Sequence, residues 1–104
     1  MTYEKKIFQE IRSEVQKILP DAKVSLFGSR VYGDASEESD WDILILTSDK
    51  PNYEIKRIIQ DKLFPLSVKI AAFINTVLVS EEDWNKDPSY YALRQSISTK
   101  KVMA

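Results

Sequence analysis

The 104-residue sequence contains no cysteine, no histidine and only two glycines. Without cysteine there can be no disulfide framework and no thiolate ligand for a metal. Without histidine there is no imidazole for acid–base catalysis or for zinc. Carboxylates and phosphates would therefore have to hold any metal that this chain binds, which favours Mg²⁺ or Mn²⁺.

An excess of one charge and long apolar runs are also missing. The 15 basic and 16 acidic residues give a net charge of −1, so no overall positive field is available to hold nucleic acid. No apolar run reaches the roughly 20 residues of a membrane-spanning helix, and the N-terminus lacks a signal-peptide pattern. We expect one domain, residues 1–104, that is cytoplasmic and binds neither a membrane nor nucleic acid.

The most informative stretch spans residues 26–46. An apolar run ends at Gly28 and Ser29, a polar loop follows, and Asp40 and Asp42 lead into a second apolar run. Side chains alternate along a strand, so the two carboxylates project from one face, about 6–7 Å apart. They repel each other unless a cation lies between them, and Mg²⁺ prefers such ligands together with phosphates. Glycine allows close backbone approach and a serine-capped helix start attracts anions, so the stretch predicts nucleotide chemistry.

Two interpretations stay open for the charged residues of this stretch. Arg30 suits a phosphate because its charge is permanent and forked, but it could equally pair with Asp34 or Glu37. The carboxylate pair itself could belong to an acidic loop that is only solvated. The residues alone do not decide between a binding site and a hydrated turn.

Helical and strand-like patterns alternate along the rest of the chain. Apolar spacing of three and four residues marks helices, and alternating or continuous apolar runs mark strands. The predicted elements are helices over 3–19 and 53–63, the second stopped at Phe64-Pro65, strands over 23–27, 41–46 and 67–79, and helices starting at Ser80 (with Asp83) and at Asp87-Pro88. This order predicts an α/β (α+β) domain whose central strand, 41–46, is covered on both faces.

Several motif positions together resemble a known family. The segments Phe27-Gly28-Ser29-Arg30, Gly33 and Ser39-Asp40-Trp41-Asp42 are similar to the signature of the polymerase-beta-like nucleotidyltransferases. In size and helix–strand order the chain resembles the minimal nucleotidyltransferases of prokaryotes, and the resemblance covers nearly all of it. It implies a nucleotidyltransferase fold, in which helices cover a small mixed β-sheet.

The resemblance also implies a reaction. In that family a Gly-Ser motif holds the triphosphate of a nucleotide, while two aspartates and a third carboxylate hold two divalent ions. Carried over, Gly28, Ser29 and Arg30 bind the nucleotide, and Asp40 and Asp42 are the catalytic metal ligands for Mg²⁺ (or Mn²⁺). The implied chemistry is transfer of a nucleoside monophosphate from a nucleoside triphosphate, ATP by expectation, to a hydroxyl, on a two-metal clamp.

One position is expected to depart from the family pattern. The third carboxylate should come from the predicted strand over 67–79, which contains no acid. Its distance from the following helix start places Lys69 at the expected position. An ammonium there can pair directly with Asp40 and Asp42 and replace the charge of one metal ion. We therefore expect weak or absent catalysis, or one metal ion sharing the work with Lys69.

Two functions from different classes follow. The first is an active nucleotidyltransferase. The second, also implied by the resemblance, is a catalytically impaired, antitoxin-type protein that binds a small helical nucleotide-binding toxin. Trp84, Tyr90 and Tyr91 are candidates for its contact surface, although core packing is the favoured role of these aromatic residues. Nucleic-acid polymerisation is disfavoured because the chain is neutral and shows no template-binding domain.

Overall fold

Helices and short strands alternate in the structure, a computed structural model that describes residues 3–28, 40–99 and 102–103. In chain order the elements are α1 (Tyr3–Ile18), β1 (Lys23–Phe27), β2 (Trp41–Thr47), α2 (Tyr53–Ile70), β3 (Ile74–Ser80), α3 (Glu81–Lys86), a 3₁₀ turn (Pro88–Tyr90), α4 (Tyr91–Thr99) and β4 (Val102–Met103). The predicted α+β class is confirmed.

The four strands form one mixed sheet in the order β3-β2-β1-β4. Strand β2 pairs antiparallel with β1 and parallel with β3, and the parallel pairing is possible because α2 carries the chain back to the starting edge. The two-residue strand β4, which the sequence did not predict, pairs antiparallel with β1. Strand β2 is therefore central, as its apolar residues on both faces predicted.

Alternation along β2 divides the core into two clusters on opposite faces of the sheet. Trp41, Ile43 and Ile45 are fully buried against α1 and α2. Leu44 points the other way, into a second cluster with buried side chains of β3, α3 and α4. Asp42 lies on this second face, at the beginning of the strand, where a rigid element can hold its carboxylate in place.

The structure corrects the boundary between the second helix and the third strand. The sequence predicted a helix stop at Phe64-Pro65 and a strand over 67–79, but α2 continues for five residues beyond the proline. Leu63 and Leu66 are buried on either side of the exposed Pro65. Burial of this face outweighs the hydrogen bond that proline removes. Val68, which the strand prediction had placed on a sheet face, is helical and 65% exposed.

Helix α2 ends at a left-handed residue that is not glycine. Ala71 has a φ of 55°, and its N–H donates to the carbonyls of Ser67 and Val68. The Ala72 N–H also donates to the Ser67 carbonyl, at 3.2 Å, so the carbonyls of Ser67 and Val68 in the last turn have partners. Glycine is the usual residue at this position. Its absence left no signal of the true helix end in the sequence.

The two later helix starts are confirmed. The Ser80 hydroxyl accepts a hydrogen bond from the Asp83 N–H at 3.1 Å, and the Asp87 carboxylate accepts one from the Ser89 N–H at 2.9 Å. The second cap opens the 3₁₀ turn, which leads directly into α4. The expectation that Tyr91 packs in the core is wrong, because its side chain is 60% exposed.

Candidate active site

Two carboxylates at the start of β2 meet one side chain of β3. The parallel register places Asp42 opposite Asn75, each the second residue of a seven-residue strand. The Asn75 amide nitrogen donates to Asp40 Oδ2 at 3.0 Å and to Asp42 Oδ1 at 3.5 Å. One amide therefore bridges both acids, which project toward the same side as their spacing predicted.

The turn after β1 lies directly against Asp42. The antiparallel register pairs Phe27 with Asp42, and Gly28 follows with a φ of 81°, which glycine adopts without steric cost. A Cβ at Gly28 would overlap Oδ2 of Asp42. Glycine is thus required here both by the backbone conformation and by the neighbouring carboxylate.

Burial and charge both act on Asp42. Its side chain is half-buried, whereas Asp40 is exposed. Burial raises the pKa of the Asp42 carboxyl above its usual value; the Asn75 hydrogen bond lowers that pKa and the charge of Asp40 raises it again. The ionised pair is therefore held at an electrostatic cost that a bound cation would remove.

The donor set suits a hard divalent cation. Oδ2 of Asp40 and Oδ1 of Asp42 both lie within hydrogen-bonding range of one nitrogen atom, so a small cation could take the place of that N–H. Carboxylate oxygens are the ligands that Mg²⁺ and Mn²⁺ prefer. Across residues 3–28, 40–99 and 102–103, no three His, Cys, Asp or Glu side chains come together as a metal-binding group. Asn75 stands where the family resemblance led us to expect the third carboxylate.

Lys69 does not lie at this site. It belongs to the last turn of α2 rather than to the strand beside the carboxylates. Its ammonium lies 3.3 Å from Oε2 of Glu10 on α1, and its side chain is 68% exposed. The prediction that Lys69 takes the third-carboxylate position is therefore wrong. The cause is the misplaced end of α2, which put the start of the predicted strand seven residues too early, at 67 instead of 74.

The remaining predicted residues are only partly placed. Gly28, Asp40 and Asp42 come together, whereas Ser29 and Arg30 lie outside the described residues, so their nucleotide-binding role stays a prediction. The sequence-based interpretation missed Asn75. It could have been found by counting back from the Ser80 cap, because the second residue of a strand as long as β2 is then this asparagine.

Known proteins resemble the chain in sequence. The family described as "Nucleotidyltransferase domain" matches residues 8–93. Two proteins of Methanocaldococcus jannaschii, each named "Putative protein adenylyltransferase", are also similar. One is 35% identical over 74 residues, which are 69% of this chain and 75% of the relative. The other is 36% identical over 81 residues, 78% and 76% of the two chains.

Solved structures share the fold. One chain of a toxin–antitoxin complex with AMP-PNP superimposes with a TM-score of 0.63 at 21% identity, covering 91% of this chain and 69% of that one. A chain from the complex of a tri-AMPylated HEPN toxin with an MNT antitoxin of Shewanella oneidensis gives 0.59 at 18% identity, with 95% and 69% covered. The matched range contains the positions of Gly28, both aspartates and Asn75. The chain therefore belongs to the nucleotidyltransferase-domain family.

Proposed function

We propose that this chain transfers a nucleoside monophosphate from a nucleoside triphosphate to a hydroxyl acceptor. The supporting observation is that Asp40 and Asp42 converge on one amide beside the Gly28 turn. These two carboxylates would hold Mg²⁺ (or Mn²⁺), which when bound neutralises phosphate charge and favours the ionised form of the acceptor hydroxyl. The relatives named as protein adenylyltransferases favour ATP as the donor and a protein side chain as the acceptor.

The chain's own residues bind and orient the donor. Gly28 allows the triphosphate to approach the backbone, Ser29 offers a hydroxyl donor and Arg30 offers a forked cation. The acceptor oxygen bonds to the α-phosphorus, and the bond from that phosphorus to the pyrophosphate oxygen breaks. Pyrophosphate leaves with the electron pair, and the acceptor proton passes to solvent. Because Asp42 lies on the central strand, its carboxylate keeps a fixed position beside the Gly28 turn where the donor would bind.

Label transfer tests this function. The chain is incubated with Mg²⁺, ATP labelled at the α-phosphate, and an extract of source cells from which its gene has been deleted. We expect label on protein, lowered about 100-fold or more by Asp42→Asn, because even residues behind a metal ligand contribute 10–100-fold to affinity. Asn85→Asp, at an exposed position of α3, is the matched control and should label normally. Label that persists undiminished in Asp42→Asn would contradict the proposal.

A second candidate is an antitoxin-type role, in which binding a small helical partner protein is the main function. Chains of similar fold occur in toxin–antitoxin complexes, and this chain exposes Phe64, Val68 and Phe73 at 60%, 65% and 75%. Co-expression with a small helical protein encoded beside its gene separates the two roles. A stable complex that survives Asp42→Asn favours the partner role, whereas label transfer without a stable complex favours the enzyme.

A further inference from the structure

We propose that Asn75 limits the Asp40–Asp42 site to one divalent cation, where a carboxylate at the same position would admit a second. This inference rests on the proposed function, because it takes the two aspartates as metal ligands. It concerns how many ions the site holds, which the proposed function alone leaves undetermined.

The position of Asn75 is fixed by backbone pairing. Seven consecutive residue pairs join β2 to β3 in parallel, and Asp42 faces Asn75 within that ladder. The Trp41 N–H donates to the Phe73 carbonyl at 2.8 Å and extends the pairing to the start of the strand. Asn75 thus contacts both carboxylates from a rigid strand, so a carboxylate at position 75 would also be held within reach of the site.

Charge then limits the number of ions. Asp40 and Asp42 together carry two negative charges, which one divalent cation neutralises. A second divalent cation a few ångströms away would be repelled by the first. Only the phosphate oxygens of the donor would hold it, since the amide of Asn75 adds no protein charge. When a cation displaces its N–H from between the carboxylates, Asn75 can turn its carbonyl oxygen inward as a neutral ligand. That exchange would add one neutral ligand for a single ion and would not supply the charge that a second ion needs.

The described part of the chain offers no substitute for the missing charge. No third carboxylate joins the pair there. Lys69, which the sequence had placed at this site, pairs instead with Glu10. That ion pair joins α2 to α1. A one-ion site would still bind the donor triphosphate. It would activate the acceptor hydroxyl weakly, because a two-metal clamp divides these tasks between its ions.

The decisive variant is Asn75→Asp, which replaces the side-chain amide with a carboxylate of nearly the same volume. Asn75 is exposed, so the variant should fold. Asn85→Asp is the matched control, because it adds the same charge on α3, which follows the opposite end of β3. Asn75→Ala removes the amide without adding charge. It separates the loss of a hydrogen bond from the gain of a ligand.

Manganese titration provides the readout, and it needs no catalytic turnover. Each variant is titrated with Mn²⁺ in saturating α,β-methylene-ATP, and bound ions per chain are counted by electron paramagnetic resonance. We expect one ion for the wild type, Asn85→Asp and Asn75→Ala, and two for Asn75→Asp. The second ion of Asn75→Asp should bind at least about 10-fold more tightly than any second ion of the wild type. Its spectrum should show the coupling of two ions about 4 Å apart.

Each other outcome has a definite meaning. Two coupled ions in the wild type or in Asn75→Ala would overturn the inference and leave the proposed function standing. One ion in both the wild type and Asn75→Asp would do the same. If neither the wild type nor Asn75→Asp bound manganese, Asp40 and Asp42 would not be metal ligands, and the proposed function would fail with the inference.

Discussion

At the scale of single residues, Asp42 is the side chain around which the site is arranged. Its carboxylate lies against the Gly28 turn on one side and is reached by the Asn75 amide on the other. The turn after β1, the start of β2 and the start of β3 therefore meet at the Asp42 carboxylate. Small changes at any of them should alter its position.

Gly28→Ala tests this arrangement. We expect it to destabilise the fold by about 1–2 kcal/mol, since alanine is strained at a φ of 81°. We also expect weaker Mn²⁺ binding, since the new methyl group would displace the Asp42 carboxylate. Urea unfolding and manganese titration measure the two effects. Ser48→Ala, in the exposed loop at the other end of β2, is the control, and equal manganese affinity in Gly28→Ala and wild type would contradict the expected displacement.

At the scale of elements, the length of α2 decides which residue joins the carboxylates. Its buried positions, among them Ile59, Leu63, Leu66 and the partly buried Ile70, continue at helical spacing through the proline. The sequence contained this signal, but Pro65 and the alternating residues after it indicated a strand more strongly. Local preference favoured a break here, and packing against α1 and the sheet overrode it.

Ala71→Gly tests how this helix ends. Glycine adopts a φ of 55° without the cost that alanine incurs, so the variant should be more stable by about 0.5–1 kcal/mol. Urea unfolding gives the free energy of unfolding. Ala72→Gly is the matched control and should be neutral or destabilising, because Ala71 is the only non-glycine residue of the described chain with positive φ. A destabilised Ala71→Gly would argue against this helix end.

At the scale of the whole molecule, two layers of helices enclose the sheet, and charged pairs tie α1 to α2. Oε2 of Glu14 on α1 lies 3.5 Å from Nζ of Lys62 on α2. Oε2 of Glu10 on α1 lies 3.3 Å from Nζ of Lys69 on α2. These contacts join segments far apart in sequence at the edge of the larger core cluster. Within the described residues, no helix is long and apolar enough to cross a bilayer.

The lowered pKa of Glu14 predicts how the stability of the fold depends on pH. A hydrogen bond from Lys17, together with the charges of Lys17 and Lys62, holds the pKa of Glu14 below its usual value of 4.5. Its contribution is therefore complete above that value and is lost as the pH falls through the lower folded-state pKa. Glu14→Gln should reduce stability by at most about 1 kcal/mol at pH 7. The difference should vanish in acid, below the folded-state pKa.

Urea unfolding at pH 7 and in acid measures both free energies. Lys17→Gln serves as the comparison, because it removes the main partner of Glu14. At pH 7 it should therefore lower the free energy of unfolding by most of the amount that Glu14→Gln does. A Glu14→Gln effect of equal size at both pH values would show that the charge of Glu14 is not its source.

The sequence by itself determined the features set by residues close together in the chain. Helical spacing gave α1, alternation gave β1 and β2, and caps gave the starts of α3 and the 3₁₀ turn. The spacing of Asp40 and Asp42 gave their shared direction. Tertiary structure alone decided that Asn75, rather than Lys69, meets those carboxylates. That contact joins residues 33 positions apart, and it depends on where a packed helix ends and on the register of a parallel strand pair. Neither is encoded in local preference.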